Sequence, residues 1–263
     1  MLDKIKIEDI IDIAKKAGEK ILEIYNQDYE LKFKEDKSPL TLADKEAHNI
    51  IQKYLSIYNI PILSEEDKNI PYEERKNWEY FWLIDPLDGT KEFIKKNGEF
   101  TVNIALIHKN IPILGVVYVP VLKDVYYAIK NKGAFKVTKN NKIKLPFTQP
   151  EIFTIVASKS HLNDETKGFI EKLTSKIENY KFISKGSSLK LLMIAEGKAS
   201  IYPRLAPTME WDTAASDIIV RESGSKIYNY ETKLPLVYNK EKLLNPFFVV
   251  EGGFYFQKKD RES

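Results

Sequence analysis

Three strand-like segments joined by very short connections constrain the fold of this 263-residue chain more than any other feature. They are rich in β-branched and aromatic residues and cover residues 100–107 (FTVNIALI), 113–119 (ILGVVYV) and 125–129 (VYYAI). Turn residues such as Pro120 and Gly133 bound them. This composition favours strands, and strands joined by such short turns pair antiparallel. The pattern therefore predicts an antiparallel sheet.

Two helices are predicted ahead of this sheet. Isoleucines and alanines recur at helical spacing over residues 7–25, and lysines and acids fill the opposite face. A second helix is predicted to start near Thr41, because residues 41–44 (TLAD) resemble a capping signature. Its apolar pattern continues to about residue 55. Helices with an antiparallel sheet give the first half of the chain an α+β character.

The pattern of predicted helices and strands changes after residues 140–150 (NNKIKLPFTQP), which contain two prolines and no clear periodicity. Beyond them, strand-like and helix-like segments alternate as far as residue 223, which argues for crossover units and a mostly parallel sheet. We therefore predict an N-terminal α+β domain over residues 1–145 and a C-terminal α/β domain over residues 146–263. Ligand sites in such architectures lie between the halves, at the carboxyl ends of strands.

Net charge and cysteine content argue against several kinds of partner and chemistry. The 41 basic and 38 acidic residues leave a net charge of +3, and nothing indicates a nucleic acid or an anionic membrane as partner. Cysteine is absent, which excludes a disulfide framework, a thiolate metal site and a cysteine nucleophile. No apolar run approaches the length of a membrane span, and no targeting segment is evident. We expect a cytoplasmic protein.

Two carboxylates, Asp85 and Asp88, lie three residues apart just after the apolar run at residues 80–83 (YFWL). Carboxylates without His or Cys beside them favour Mg²⁺, Mn²⁺ or Ca²⁺ over Zn²⁺. Gly89 permits a close approach of a ligand to the main chain, and a helix beginning near Thr90 would offer free N–H groups to a phosphate. Asp, Pro and Gly are also common turn residues. These residues alone are equally compatible with a site that binds a metal ion and a phosphate and with a solvated turn.

Three acidic motifs, taken in order, resemble those of one superfamily. They are LSEE at residues 63–66, IDPLDGTKEF at residues 84–93 and EWDTAAS at residues 210–216. Together they are similar to the motifs of the lithium-sensitive, Mg²⁺-dependent phosphatases, which include inositol monophosphatases, fructose-1,6-bisphosphatases and 3′(2′),5′-bisphosphate nucleotidases. The resemblance implies the layered αβαβα sandwich of that group. Ser216 departs from the glycine that the family usually has at this position.

The residues after the acidic turn resemble one branch of this superfamily. Inositol monophosphatases typically read D-G-T-x-N-F, whereas residues 88–93 (DGTKEF) are similar to the bacterial nucleotidases of the CysQ type. That resemblance implies hydrolysis of the 3′-phosphate of 3′-phosphoadenosine 5′-phosphate to AMP, inhibition by Li⁺ and a link to sulfate assimilation. An inositol monophosphatase or fructose-1,6-bisphosphatase on the same scaffold is the first alternative. A non-catalytic nucleotide-sensing module is the second.

The resemblance also implies a cofactor of two or three Mg²⁺ ions. Glu65, Asp85 and the main-chain carbonyl of Leu87 would hold one ion. Asp85, Asp88 and Asp212 would hold another. A shared Asp85 suits two cations about 3.5–4 Å apart, because ions at that spacing need a common ligand.

Catalytic and substrate roles are implied by the same resemblance. Thr90 and Asp44 would accept the proton of the attacking water, with Glu65 as a further catalytic residue. Without the resemblance, the sequence favours a helix-capping role for Asp44. Substrate contacts are implied at Gly89, Thr90, Ser158, His161, Gly186, Ser187, Lys190, Arg204 and Asp212.

Lys190 and Arg204 are the residues from which we expect specificity. A bisphosphate presents a second dianion, which a lysine and the forked guanidinium of an arginine would clamp. The alternative for Lys190 is a solvated helix face. The implied partner is a small nucleotide bisphosphate rather than a nucleic acid polymer, and the protein is expected to be a monomer or a homodimer.

Overall fold

The computed structural model describes residues 2–27, 39–158 and 163–253. Its helices are α1 (Ile7–Tyr25), α2 (Pro39–Leu55), α3 (Tyr72–Arg75), α4 (Thr90–Ile94), α5 (Asp164–Thr174), α6 (Leu189–Glu196) and α7 (Glu210–Glu222). Its strands are β1 (Ile62–Ser64), β2 (Tyr80–Asp88), β3 (Thr101–His108), β4 (Ile111–Val119), β5 (Asp124–Ile129), β6 (Gly133–Val137), β7 (Lys142–Lys144), β8 (Phe153–Ala157), β9 (Tyr180–Ser184), β10 (Ile201–Arg204), β11 (Lys226–Asn229) and β12 (Phe248–Glu251). No helix in these ranges combines the length and the apolarity that crossing a membrane requires.

The first sheet contains β1 to β7 in chain order. Strands β1 and β2 are parallel, and every later pair is antiparallel, which confirms the antiparallel sheet predicted from the short turns. Its register is irregular between Asp85 and Asp88, where Pro86 interrupts the pairing of β2 with β3. The acidic turn is therefore the bent end of a central strand, and not a solvated loop.

The second sheet has the order β11-β12-β10-β8-β9, and four of its five strands run in the same direction, which agrees with the mostly parallel sheet predicted for this half. Strand β8 pairs in parallel with β9 and β10, whereas β12 pairs antiparallel with both β10 and β11. The strands joined by helices all run in one direction, as crossover connections require. Only β12 is reversed, and residues 230–247 lead to it without a helix.

Three buried clusters show that the helices and sheets form five layers. Helices α1 and α2 cover one face of the first sheet, and their core includes Ile21 and Ile51. The opposite face packs with α6, α7 and the second sheet around Trp211. Helix α5 covers the far side of the second sheet, against Ile155 and Val249. This arrangement confirms the layered αβαβα sandwich. The first sheet ends at β7 and the second begins with β8, yet the central cluster draws on both halves of the chain.

Helix α7 lies unusually close to strand β4 because position 115 is a glycine. A Cβ atom at Gly115 would lie 2.3 Å from the carbonyl oxygen of Ala215 and 2.5 Å from the side chain of Ile218. No real side chain tolerates such distances, so the glycine sets how deeply α7 sits. That depth matters because Asp212 lies one turn earlier on the same helix.

Candidate active site

The predicted acidic residues meet where β1, β2 and α7 come together. Because β1 and β2 are parallel neighbours, Glu65 follows the end of β1 beside the bent end of β2. Its N–H group donates to the carbonyl of Ile84 at 3.3 Å. Helix α7 brings Asp212 from the other half of the chain. The carboxyl ends of these two strands thus place acids from distant parts of the sequence at one location.

Asp85 is the most deeply buried of these acids, with 1% of its surface exposed. Its Oδ1 atom accepts the N–H of Leu87 at 3.1 Å, a contact that folds the chain around Pro86. Burial raises the pKa of Asp85 well above its usual range, and the charges of Asp88, Glu65 and Asp212 add to the effect. The carboxylates are therefore close enough to repel one another.

Asp88 is held through a single oxygen. Its Oδ2 atom accepts the N–H and the hydroxyl of Ser188 at 2.7 and 2.9 Å. Longer contacts come from the hydroxyl of Thr101 at 3.4 Å and the amide of Asn103 at 3.5 Å. In the part of the chain that the structure describes, no group donates to Oδ1. The second oxygen of Asp88 is thus left for a ligand.

Asp212 is half-buried at the start of α7. Its Oδ2 atom accepts the N–H of Met209 at 2.8 Å, which satisfies one of the free N–H groups of the first helical turn. Burial raises the pKa of Asp212 to about 8, with a further contribution from the charge of Asp88. One oxygen of Asp212 therefore makes a structural contact, and no described Lys or Arg forms an ion pair with its carboxyl group.

The donor chemistry of this cluster fits a hard divalent cation. Its ligands are all oxygens, and no described Lys or Arg forms an ion pair with Asp85, Asp88 or Asp212. A Mg²⁺ ion would relieve the repulsion that raises these pKa values. Within residues 2–27, 39–158 and 163–253, however, no three His or acidic side chains form a closed metal-binding group. The ligand assignments to Glu65, Leu87 and the three aspartates therefore stay predictions.

Asp44 and Thr90 approach the cluster from two different helices. The described part of α2 begins at Pro39, so Thr41 lies inside the helix and does not act as its cap. Burial, together with the charges of Glu66 and Glu65, raises the pKa of Asp44 to about 8. Thr90 begins α4 and is exposed. No hydrogen bond between these two residues occurs in the described structure, so their shared role in proton transfer stays a prediction.

A cavity of about 290 Å³ brings most of the predicted substrate contacts together. The predicted residues that line it are Asp88, Gly89, Thr90, Ser158, Ser187, Lys190, Arg204 and Asp212. His161 lies outside the described residues. Gly186 does not line the cavity, but a Cβ atom there would lie 2.4 Å from Cγ of Glu92, so its missing side chain lets α4 approach the loop.

The two predicted cations are buried in this cavity wall. Lys190 is 6% exposed, which rules out the solvated helix face, and its ammonium donates to the carbonyl of Ser187 at 2.6 Å. Burial lowers its pKa to about 8, against the opposing charge of Asp88. Arg204 is 9% exposed and donates to the carbonyl of Pro207 at 2.7 Å. Both cations can therefore face an anion in a site with little water.

Two polar atoms in this wall have no partner among the described residues. They are the hydroxyl oxygen of Ser187 and the Nε atom of Arg204. Ser187 also adopts φ 41°, a left-handed conformation that is unusual for a residue other than glycine. Unpaired buried groups cost free energy, so a wall with two of them suits a polar ligand.

Tyr202 lines this cavity, Glu99 and Ser188 hold its wall through hydrogen bonds, and none of the three is among the predicted site residues. The Glu99 carboxylate accepts the Lys185 ammonium at 2.7 Å and the N–H of Gly186 at 2.8 Å. It thereby ties the segment at residues 185–188, which leads into α6, to the first half of the chain. No local pattern marks these residues, because each acts through a contact with a remote segment.

The sequence profile of the inositol monophosphatase family matches residues 4–251. The 3′(2′),5′-bisphosphate nucleotidase CysQ of Salmonella typhimurium is 42% identical and covers 93% of this chain and 98% of its own. CysQ of Buchnera aphidicola is 45% identical, over 88% of this chain and 84% of its own.

Solved structures agree with the sequence relatives. The crystal structure of CysQ from Bacteroides thetaiotaomicron is 46% identical, with a TM-score of 0.89 over 94% of this chain and 96% of that one. The extragenic suppressor protein SuhB from Bartonella henselae is 20% identical, with a TM-score of 0.71 over 96% of each chain, and shows the fold alone. The resemblance to CysQ proteins is confirmed, and the chain belongs to the inositol monophosphatase family.

Proposed function

We propose that this protein is a Mg²⁺-dependent 3′(2′),5′-bisphosphate nucleotidase, which converts 3′-phosphoadenosine 5′-phosphate to AMP and phosphate. The observation that carries the proposal is one cavity lined by both Asp88 and Asp212 and by the buried cations Lys190 and Arg204. A substrate with two phosphate groups matches a cavity whose lining contains both carboxylates for a metal ion and buried cations for an anion. The names of the CysQ relatives support the same activity.

Glu65, Asp85, the Leu87 carbonyl, Asp88 and Asp212 would hold the metal, as two or three Mg²⁺ ions. The inositol monophosphatase family is metal-dependent. When bound, Mg²⁺ polarises the phosphoryl group and favours ionisation of the attacking water. The buried, mutually repelling carboxylates of this chain support the assignment, because a cation stabilises their charged forms.

The residues around Thr90 would orient the phosphate that is cleaved. Gly89 has φ 103° and leaves space for a ligand against the main chain. Thr90 and Asp44 would accept the proton of the water, and Asp44 lies near enough to Glu66 and Glu65 for their charges to act on its carboxyl group. The water oxygen bonds to phosphorus, the P–O3′ bond breaks, and the 3′ oxygen takes up a proton.

Lys190 and Arg204 would bind the 5′-phosphate, which is not cleaved. Both are buried, so their attraction to a dianion is screened less than at an exposed surface. The free hydroxyl of Ser187 and Nε of Arg204 offer further donors in the same wall. Ser158, Gly186 and His161 complete the proposed contacts. We further propose that the enzyme acts in the cytoplasm, where it clears a by-product of sulfate assimilation.

Phosphate release from a panel of substrates tests this proposal. The panel contains 3′-phosphoadenosine 5′-phosphate, inositol 1-phosphate and fructose 1,6-bisphosphate, each with Mg²⁺, with EDTA and with added Li⁺. We expect the nucleotide to react fastest, EDTA to abolish release and Li⁺ to inhibit it. Faster hydrolysis of inositol 1-phosphate would contradict the substrate assignment. No release from any substrate at saturating Mg²⁺ would indicate a nucleotide-sensing module.

A further inference from the structure

We propose that Ser188 is a positioning residue, which holds the carboxylate of Asp88 and the first turn of α7 in the arrangement that binds metal. The inference rests on the proposed function, because it assigns Asp88 and Asp212 as ligands. Ser188 itself would touch neither metal nor substrate. It lies at the junction of the three segments that build the site.

The hydroxyl of Ser188 meets groups from three separate parts of the chain. It lies 2.9 Å from Oδ2 of Asp88 and 3.1 Å from the main-chain oxygen of Asp212. It also accepts the amide of Asn103 at 3.1 Å. The Ser188 N–H group donates to the same oxygen of Asp88 at 2.7 Å. One residue thus contacts both a ligand from the first half of the chain and a ligand from the second.

A helix-capping role does not account for this serine. Ser188 precedes α6 at the N-cap position, where a serine hydroxyl normally accepts an N–H group of the first helical turn. Here its side chain makes no capping hydrogen bond. The helix begins instead on the main-chain carbonyl of Ser188, which accepts the N–H groups of Leu191 and Leu192. The hydroxyl is therefore committed to the acidic cluster.

The contacts of Ser188 determine which oxygen of Asp88 is available. Two donors on one residue fix Oδ2, and Asn103 supports them from strand β3. When hydrogen bonds hold one oxygen of a carboxylate, the other oxygen points in a defined direction. Partners of metal ligands that lack direct metal contact typically change affinity by about 10–100-fold when removed. Since Ser188 is 1% exposed, water does not readily replace its hydroxyl.

Calorimetric titration of the substrate-free protein with Mg²⁺ tests this role. We expect Ser188→Ala to weaken Mg²⁺ binding by about tenfold or more, because Asp88 and the first turn of α7 both lose a contact. The matched control is Ser223→Ala, a buried serine whose hydroxyl donates to the carbonyl of Val220 at the end of α7. That control should bind Mg²⁺ like the wild type. Melting temperatures in EDTA should be similar for the two variants.

Each outcome decides the inference independently of the reaction. Unchanged Mg²⁺ affinity in Ser188→Ala, or an equal loss in Ser223→Ala, would overturn the positioning role. Absence of Mg²⁺ binding by the wild type would overturn it together with the ligand assignments. If the wild type binds Mg²⁺ but releases no phosphate from the nucleotide, the proposed function fails and the positioning role stands on the titration.

A second variant covers the case in which Ser188→Ala does not fold. Asn103→Ala removes the amide that supports both Ser188 and Asp88. We expect a smaller loss of Mg²⁺ affinity than in Ser188→Ala, because the two contacts from Ser188 to Asp88 remain. Ser188→Thr keeps a hydroxyl and should bind Mg²⁺ more tightly than Ser188→Ala. Equal affinities for the Thr and Ala variants would contradict the role of the hydroxyl.

Discussion

The ammonium nitrogen of Lys190 lies 5.6 Å from the centroid of the Tyr202 ring, and both side chains are buried in the cavity wall. The ammonium also donates to the carbonyls of Ser187 and Lys185, at 2.6 and 3.3 Å. A lysine carries three N–H donors. One N–H donor of the Lys190 ammonium is therefore left for a ligand, and the two contacts with carbonyls already fix the position of the ammonium.

Replacement of Lys190 should weaken binding of the uncleaved phosphate. We expect Lys190→Ala to raise KM for 3′-phosphoadenosine 5′-phosphate by about 30-fold or more, since truncating a buried charged contact typically costs at least 2 kcal/mol. KM for 3′-AMP, which has no 5′-phosphate, should change little. Steady-state kinetics on both substrates measure the difference. Lys172→Ala, at an exposed lysine on α5, is the control, and equal effects on the two substrates would argue against the clamp.

The preference for the bisphosphate should depend on pH. Burial lowers the pKa of Lys190 to about 8, so the ammonium is charged below that pH and neutral above it. The ratio of kcat/KM for 3′-phosphoadenosine 5′-phosphate to that for 3′-AMP should therefore fall as pH rises from 7 to 9. The ratio removes pH effects common to both reactions. In Lys190→Arg the ratio should stay constant, and a flat ratio in the wild type would refute the assignment.

Removal of metal should make stability decrease as the pH rises from about 4 to about 8. The pKa values of Asp44 and Asp212 are raised from 3.8 to about 8, so the folded state keeps protons that the unfolded state has lost. Stability in EDTA should thus decrease between about pH 4 and 8, by at most about 1.4 kcal/mol per pH unit for each group. Thermal unfolding from pH 5 to 8 measures the slope. Asp212→Asn should reduce it, exposed Asp164→Asn should not, and Mg²⁺ should remove most of it.

Asp88 should be essential for turnover but not for folding. We expect Asp88→Asn to lower kcat by more than a hundredfold, because the loss of a ligand should exceed the loss of a supporting residue. The amide oxygen can still accept the hydrogen bonds of Ser188, so the melting temperature in EDTA should stay within a few degrees of the wild type or rise. Phosphate release and thermal unfolding measure both quantities. Near-full activity would show that Asp88 is not a ligand.

Arg75 does not line the cavity, but it should stabilise the segment at residues 239–241, which contacts the start of α7. Its guanidinium donates to Oδ1 of Asn239 at 2.8 Å and to the carbonyls of Lys240 and Glu241 at 2.7 and 2.8 Å. The N–H of Asn239 in turn donates to Glu210, the first residue of α7. We expect Arg75→Met to lower the free energy of unfolding by about 3 kcal/mol, because it leaves buried acceptors unpaired.

Chemical denaturation of Arg75→Met measures this loss. The control is Lys76→Met, since the ammonium of Lys76 pairs with Glu73 at the exposed surface and such pairs contribute about 0–1 kcal/mol. Equal destabilisation by the two variants would show that the buried contacts of Arg75 stabilise the fold no more than the exposed ion pair of Lys76.

The sequence predicted the fold where local pattern decides structure. Short turns between β-rich segments led to the antiparallel sheet, and the alternation after residue 150 led to the crossover units. The reversal of β12 was not predictable in this way. Its direction depends on where the strand inserts between β10 and β11, and no local feature of residues 230–247 determines that position.

The same limit applies to the site: residues that lie close together in sequence can be predicted as a group, whereas contacts between distant segments cannot. Asp85 and Asp88 are close in sequence and follow an apolar strand, so their pattern is visible. Ser188 acts on Asp88 across 100 residues, and Glu99 reaches Gly186 across 87. From sequence alone, Ser188 resembles an ordinary helix cap. Its contacts with the acidic cluster exist only once the two halves of the chain have packed together.

The close approach of Gly115 to Ala215 has a consequence for how this protein can change over evolutionary time. Any side chain at position 115 would push α7 away from β4 and carry Asp212 with it. Drift at this buried strand position is therefore restricted by the spacing between carboxylates, and not only by the packing of the core. A residue with no functional group of its own thus limits where the carboxyl group of Asp212 can lie.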